Sequence, residues 1–229
     1  MYLSRLLLNP RSRQMQRELA DPYQMHRTIM SAFPFPLPED ERILFRLDEA
    51  PRTGTLTLLV QSIHLPDWTP LTEPAKAYLL PADTVPAQLP NPAVKPYDPA
   101  LIPGQTLAFR LLANPTKRLG KTAEKAAGKR VGLHREDDQL AWLQRKLESA
   151  GCQLISADIS RQAKITGKLH RNDQKHDLSF NAVRFEGQLQ IRELDKLIPA
   201  LRDGVGPAKG LGFGLLSLAP AHLLAPNRG

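Results

Sequence analysis

The order of predicted elements along this 229-residue chain runs twice through strand, helix, two strands, helix and strand, which predicts an α+β protein of two tandem βαββαβ domains. Three observations carry the prediction. A period-two strand opens the chain and a well-capped helix follows it, a strand-turn-strand signal spans residues 43–62, and a helix with two long strands and a second helical stretch fills residues 136–201. At this length the chain can bury two small cores, and we divide it into residues 1–104 and 105–229. This βαββαβ arrangement is the ferredoxin-like fold, which RNA-recognition modules share.

Residues 2–8 read as a strand that places the N-terminus inside a sheet. Asp21-Pro22-Tyr23-Gln24 is a helix start, with Asp21 at the N-cap, Pro22 at the first helical position and Gln24 placed to complete a capping box. The helix runs to about Phe33, where Pro34 and Pro36 stop it. Ile43, Phe45 and Leu47 alternate with Leu44, Arg46 and Asp48, and after a turn at Pro51 to Gly54 the run from Thr55 to Ser62 returns as a second strand. Residues 64–104 are proline-rich with little periodicity, so they read as loops with one short helix, and Gln105 to Leu112 reads as the strand that completes the first pass.

In the second pass a helix runs from about Glu136 to Ser149, strands lie near 153–168 and 178–191, and Leu194, Leu197, Ile198 and Leu201 mark a helix that Pro199 shortens or kinks. The opening apolar stretch, Leu3 to Leu8, is too short for a signal peptide or a membrane span, which predicts a cytoplasmic protein without a membrane partner. Cys152 is the only cysteine, so no intramolecular disulfide and no thiolate metal cluster can form, and it reads as a small packing residue.

Thirty-one Lys and Arg against 23 Asp and Glu give a net charge of +8, which points to a polyanionic partner. The charge is local. Arg110 to Arg135 holds eight basic residues, among them Lys117, Arg118, Lys129 and Arg130, against the single Glu124. A second basic window, with Arg161, Lys164 and Lys168, falls on the predicted hairpin of the second half. Neither window interleaves Phe or Tyr, so stacking of bases on a sheet is not expected, whereas a grip on the backbone of a folded RNA stem is, because A-form helices are read mostly by shape and phosphate.

A third polyanion signal is Gly204-Val205-Gly206-Pro207-Ala208-Lys209-Gly210-Leu211-Gly212-Phe213-Gly214, five glycines and one lysine without a carboxylate. Glycine lacks a Cβ and lets consecutive amides converge on phosphate oxygens while Lys209 supplies charge. The loop is not a nucleotide-binding P-loop, since the lysine of G-x-x-x-x-G-K-[ST] would fall on Gly210.

Candidate chemistry lies on the helix that begins at Asp21. Tyr23 and His26 are three apart and share a face, Arg27 lies one position further round, and Met25, Ile29, Ala32 and Phe33 form the opposite, apolar stripe. An imidazole, a phenol and a guanidinium near a helix N-terminus can move protons and stabilise a charged phosphorane. The remaining histidines, His64, His134, His170, His176 and His222, have no carboxylate support at a metal-ligand spacing, so neither a metal nor another cofactor is expected. Without a metal, RNA cleavage must use the ribose 2′-hydroxyl as nucleophile, leaving a 2′,3′-cyclic phosphate and a 5′-hydroxyl. Which of Tyr23 and His26 is the base and which the acid does not follow from the residues.

Five segments together carry a family resemblance: Met1-Tyr2-Leu3-Ser4; Tyr23-Gln24-Met25-His26; Phe109 to Lys117; Gln139 to Leu147; and Gly204 to Lys209 continuing through Gly214 to Pro220. In order and over nearly the whole chain, they resemble the CasE family of CRISPR RNA-processing endoribonucleases of type I-E Cascade systems. The resemblance implies two ferredoxin-like domains that bind the CRISPR repeat RNA hairpin, cut once at its 3′ base without metal, retain the product and join the other Cascade subunits. It maps the family's catalytic pair onto His26 and Tyr23, its glycine-rich loop onto residues 204–214 (Gly204, Gly206, Lys209, Gly210, Gly212, Gly214), and its stem-gripping elements loosely onto Lys117, Arg118, Lys129, Arg130, Arg161, Lys164 and Lys168. A non-catalytic RNA-binding subunit and a ribosome- or tRNA-associated protein are the competing readings.

Overall fold

The computed structural model describes residues 1–73, 76–85, 90–118, 130–171 and 174–221, with only the backbone of 82, 161–171 and 174–179. These form two compact units. The first comprises Met1–Pro99 with the short segments Thr166–Leu178 and Gly210–Gly212; the second comprises Ala100–Ile165, Ser179–Lys209 and the chain from Phe213 onward.

In the first unit β1 (Tyr2–Leu8) is followed by α1 (Arg13–Ala20), α2 (Pro22–Met30), β2 (Leu44–Glu49), β3 (Leu56–Ser62), the single-turn α3 (Thr69–Thr72) and β4 (Ala93–Pro96). The sheet order is β2-β3-β1-β4, antiparallel throughout, which is the ferredoxin-like arrangement. The period of two in β1 decides which side faces the core: Ser4, Leu6 and Leu8 are buried, and Leu6 lies opposite Leu58 of β3. Met25 and Ile29 of α2 pack into the same cluster with Met15, Phe45 and Val60. Each fully buried apolar side chain there contributes about 1.5–3 kcal/mol of transfer free energy.

Asp21 both ends α1 and starts α2. Its amide donates to the Glu18 carbonyl at 3.2 Å while its carboxylate accepts from the Tyr23 amide at 3.1 Å, and Pro22 takes the first helical position. Because the Asp21 amide is already used by Glu18, the expected capping box with Gln24 does not close. The helix also ends at Met30 rather than near Phe33, since Ala32 and Phe33 donate to the carbonyls of Ile29 and Met30 in a tighter turn.

One strand was not legible. The proline-rich stretch contains β4, whose two bracketing prolines, Pro92 and Pro96, are tolerated because β4 is an edge strand. With β4 in place, the strand expected to complete the first pass belongs elsewhere: β5 (Thr106–Ala113) pairs with strands of the second unit.

In that unit β5 leads to β6 (Thr116–Arg118), β7 (Arg130–Gly132), α4 (Glu136–Ser149), β8 (Cys152–Arg171), β9 (Gln174–Ile191), α5 (Leu194–Asp203) and β10 (Leu216–Pro220). The order β10-β5-β9-β8 repeats the ferredoxin-like topology, so the fold class inferred from the element order is the observed one. Phe109, Leu111 and Phe185 of the sheet pack against Trp142, Leu143 and Leu147 of α4 and Leu197 and Leu201 of α5. Trp142 and Phe185 stack at 6.3 Å between ring centroids. Cys152 is buried in this core, and burial pushes its thiol up to about 11, which keeps it protonated and inert.

Candidate functional site

The candidate residues fall into two constellations, one in each unit. In the first, α2 holds Tyr23 and His26 half-buried one turn apart on the same face. The imidazole tilts against the Phe45 ring with centroids 6.3 Å apart. Gly210 sits beside it: a Cβ there would lie 3.6 Å from His26 Nε2. Gly212, at φ +85°, approaches Phe45 so closely that a Cβ would stand 3.1 Å from the ring, so this position is closed to other residues by both conformation and contact. Enclosure has an electrostatic result. Burial holds the His26 pKa below the ordinary histidine value, because the charged imidazolium loses hydration without gaining a partner.

Arg27 does not join this constellation. The sequence grouped it with Tyr23 and His26 as outward-facing, but the 100° step to the next residue turns it away, and it lines a separate cavity of about 490 Å3 with Gln14, Arg17, Glu18 and Lys76. At that cavity's floor the buried Glu18 carboxylate accepts from Tyr78 Oη at 2.6 Å, Thr28 Oγ1 at 2.6 Å and Gln14 Nε2 at 2.9 Å. Since Thr28 is on α2, this network pins the helix that carries Tyr23 and His26. Burial, and then the Glu18 carboxylate, push the Tyr78 phenol far up, so it stays a donor.

The second constellation is a cavity of about 450 Å3 lined by Arg118, Arg130, Lys146 and Lys209, with Thr116, Trp142 and the loop residues Gly204, Gly206 and Pro207. β6 and β7 pair antiparallel and place Arg118 directly opposite Arg130. Lys117, between Thr116 and Arg118, projects to the other side of this ribbon and is exposed away from the cavity. Gly206 stands at φ +89°, and a Cβ would come within 3.0 Å of the Trp142 ring, so the loop lies flat on the indole only as glycine. Gly214 serves at the loop's foot, where its amide donates to the Leu112 carbonyl and its carbonyl accepts from the Val205 amide, both at 2.8 Å.

The five glycines therefore divide their work. Gly204 and Gly206 shape the cationic cavity, Gly210 and Gly212 pack on His26 and Phe45, and Gly214 anchors. Sequence reasoning missed Lys146, although its i,i+4 spacing from Trp142 on α4 puts both on one face. It also missed the support of His64, whose Nδ1 lies 2.9 Å from Glu41 Oε2. Lys129, His222 and the side chains of Arg161, Lys164, Lys168, His170 and His176 lie outside the described residues.

Comparison with known proteins matches the same architecture. The model of a family described as CRISPR associated protein covers residues 1–220. The CRISPR-associated endoribonuclease Cse3 of Thermus thermophilus is 40% identical over 96% of this chain and 100% of its own length. The CRISPR system Cascade subunit CasE of Escherichia coli K12 is 32% identical over 96% of this chain and the whole of the relative. Among solved structures, the CRISPR endoribonuclease Cse3 bound to a 19-nucleotide RNA superposes with a TM-score of 0.80 at 39% identity, covering 96% of this chain and 100% of that one. With two ferredoxin-like units and a match spanning almost its full length, this chain belongs to the CRISPR-associated protein family.

Proposed function

We infer that this protein is an endoribonuclease that binds the hairpin of a CRISPR repeat, cleaves precursor CRISPR RNA once per repeat at the 3′ base of the stem, and stays with the mature guide among the other Cascade subunits in the cytoplasm. The endoribonuclease activity follows from relatives named for it, with full-length coverage. Assembly follows from the relative named as a Cascade subunit. Among the described residues no helix is long and apolar enough to cross a membrane.

The observation that carries the chemistry is the half-buried His26 with Nε2 beside Gly210. An imidazole whose burial disfavours the proton is neutral at neutral pH and suited to accept one. In the reaction we propose, the 2′-oxygen attacks the adjacent phosphorus as His26 takes its proton. The bond from phosphorus to the 5′-oxygen breaks, and the Tyr23 hydroxyl donates to the departing oxygen. The products are a 2′,3′-cyclic phosphate and a 5′-hydroxyl, with one proton gained by histidine and one lost by tyrosine, and solvent exchange resets both. Gly210 leaves room for the reacting atoms at Nε2 because it has no side chain.

Substrate is held by the cationic cavity. Arg118 and Arg130, opposite one another on the β6–β7 ribbon, with Lys146 and Lys209, supply cations for phosphates, and the loop amide at Gly206 adds a donor, the Gly204 amide being used by the Ala200 carbonyl. Lys129, Arg161, Lys164, Lys168 and Lys117 are further phosphate contacts in this reading.

The test is incubation with a CRISPR repeat RNA in excess EDTA, beside the same RNA carrying a 2′-deoxy group at the scissile nucleotide. A single cut in the unmodified RNA alone is expected. A cut in the deoxy RNA, or dependence on added metal, contradicts the chemistry; tight binding without a cut in either makes the chain a non-catalytic RNA-binding subunit.

A further inference from the structure

The first unit presents a surface that neither the catalytic helix nor the RNA grip uses. Phe35, on the loop that follows α2, is 98% exposed, with exposed Pro34 and Pro36 on either side. Leu65, on the loop that follows β3, is 62% exposed. A single exposed apolar side chain is ordinary, but two large ones on neighbouring loops point to an interaction site.

The two loops are fastened side by side. The Asp67 amide donates to the Ala32 carbonyl at 2.8 Å, and Phe33 meets Trp68 edge to face. Buried Glu41 accepts from the amides of Ile63 and His64 at 2.8 and 3.0 Å and is paired with the His64 ring. Phe35 and Leu65 thus project from backbone already ordered, so little ordering entropy remains to be lost on binding.

The charge around them selects the partner. Residues 28–41 contain three acids and no Lys or Arg, and residues 53–75 contain Asp67 and Glu73, no Lys or Arg, and one histidine, His64, that is already paired with Glu41. Glu39, Asp40 and Asp67 are exposed. Arg42, the nearest cation in sequence, turns back to donate to the carbonyls of Glu39 and Glu41. A phosphate backbone is repelled by such a rim, whereas a protein knob of apolar side chains framed by Lys or Arg is complementary to it.

We propose that the Phe35/Leu65 edge is the surface through which this protein docks onto a neighbouring protein subunit of its ribonucleoprotein, by an apolar contact framed by that subunit's Lys and Arg. This rests on the assembly part of the proposed function. It uses no residue of α2 or of the cationic cavity.

The experiment co-expresses the full chain with the Cascade protein subunits and CRISPR RNA from the same genome, purifies the complex through another subunit, and measures how much of this chain is retained. Phe35→Ser combined with Leu65→Ser should lower retention by about 30-fold, the scale of losing a buried interface anchor. Glu39→Lys combined with Asp40→Lys should lower it by about tenfold or less, as rim charges do. Both variants should cut free repeat RNA within about twofold of the wild-type rate, which also reports that they fold, since surface changes seldom perturb stability. Full retention of both variants overturns the docking surface alone. Absence of the wild-type chain from the complex overturns the assembly reading and the surface with it. A parallel loss of RNA affinity makes this edge an RNA contact, and a wild-type dimer in sedimentation that the serine variant abolishes makes it a contact between copies; either result overturns the proposal.

Discussion

The two units share one topology and differ in what it carries. Residues 1–99 hold 10 Lys and Arg against 11 Asp and Glu, while residues 100–229 hold 21 against 12, so the entire positive excess lies in the second part of the chain. The first unit encloses a histidine and lowers its proton affinity; the second gathers four cations around one cavity. Those demands conflict. A neighbouring cation would depress a base further and compete for the phosphate that must react, whereas a phosphate-tracking surface needs cations in number and no burial. On the function we propose, each copy of the duplicated α+β fold satisfies one demand, with only the short Gly210–Gly212 segment of the glycine-rich loop counted with the first.

Substitutions can break this division, and the largest effect is expected at the base. His26→Ala should lower single-turnover cleavage on the order of 10²-fold or more while changing RNA affinity only a few-fold. A wild-type rate in that variant would remove His26 from the mechanism. Next comes the space beside Nε2. Gly210→Val adds a Cβ that would stand 3.6 Å from the ring and branched methyl groups beyond it, and a displaced substrate should react about tenfold more slowly with nearly unchanged affinity. If affinity falls instead and the rate holds, Gly210 belongs to the grip rather than to the chemistry.

The second unit should respond in the opposite currency. Arg130→Ala should weaken RNA binding at moderate salt and reduce the slope of log K against log salt by about one, the signature of one lost phosphate contact. An unchanged slope would take the β6–β7 ribbon out of the interface. The smallest effect concerns pH. Burial sets the folded-state pKa of His26 below its unfolded value near 6.5, so the stability associated with neutral His26 is complete above that value and is lost as pH falls toward the lowered one. Urea midpoints should therefore drop more for the wild type than for His26→Asn between about pH 7 and pH 5. Equal drops would mean that burial does not shift this imidazole.

Local signals in the sequence were read well and non-local ones poorly, for physical reasons. The Asp21-Pro22 start and the Met25, Ile29 stripe depend on residues within one or two turns, so α2 and the shared face of Tyr23 and His26 were visible. Membership of a sheet is not a local property. β5 has the same period whichever sheet it joins, and β4 was masked by prolines that only an edge position accommodates. A helical wheel gives angles but not the neighbour at each angle, so the cavity that exposed Arg27 lines with residues of α1, apart from Tyr23 and His26, was not visible. The burial of His26 was hidden for the same reason: Phe45 and Gly210 lie 19 and 184 residues away along the chain. The cationic cavity was half visible, since the run around Arg118 and Arg130 is dense in basic residues, whereas Lys146 reaches it from α4 with no charge run to announce it.

The central claim is that chemistry and grip are separable, and single-turnover cleavage measured at saturating protein, together with the dissociation constant, tests it most directly for His26→Ala and for Arg118→Ala combined with Arg130→Ala. The account predicts a crossed result: the histidine variant binds nearly as tightly as the wild type and scarcely cuts, while the arginine variant binds weakly and, once saturated, cuts at close to the wild-type rate. An arginine variant that stays slow at saturation, or a histidine variant whose affinity falls as far as its rate, would contradict it.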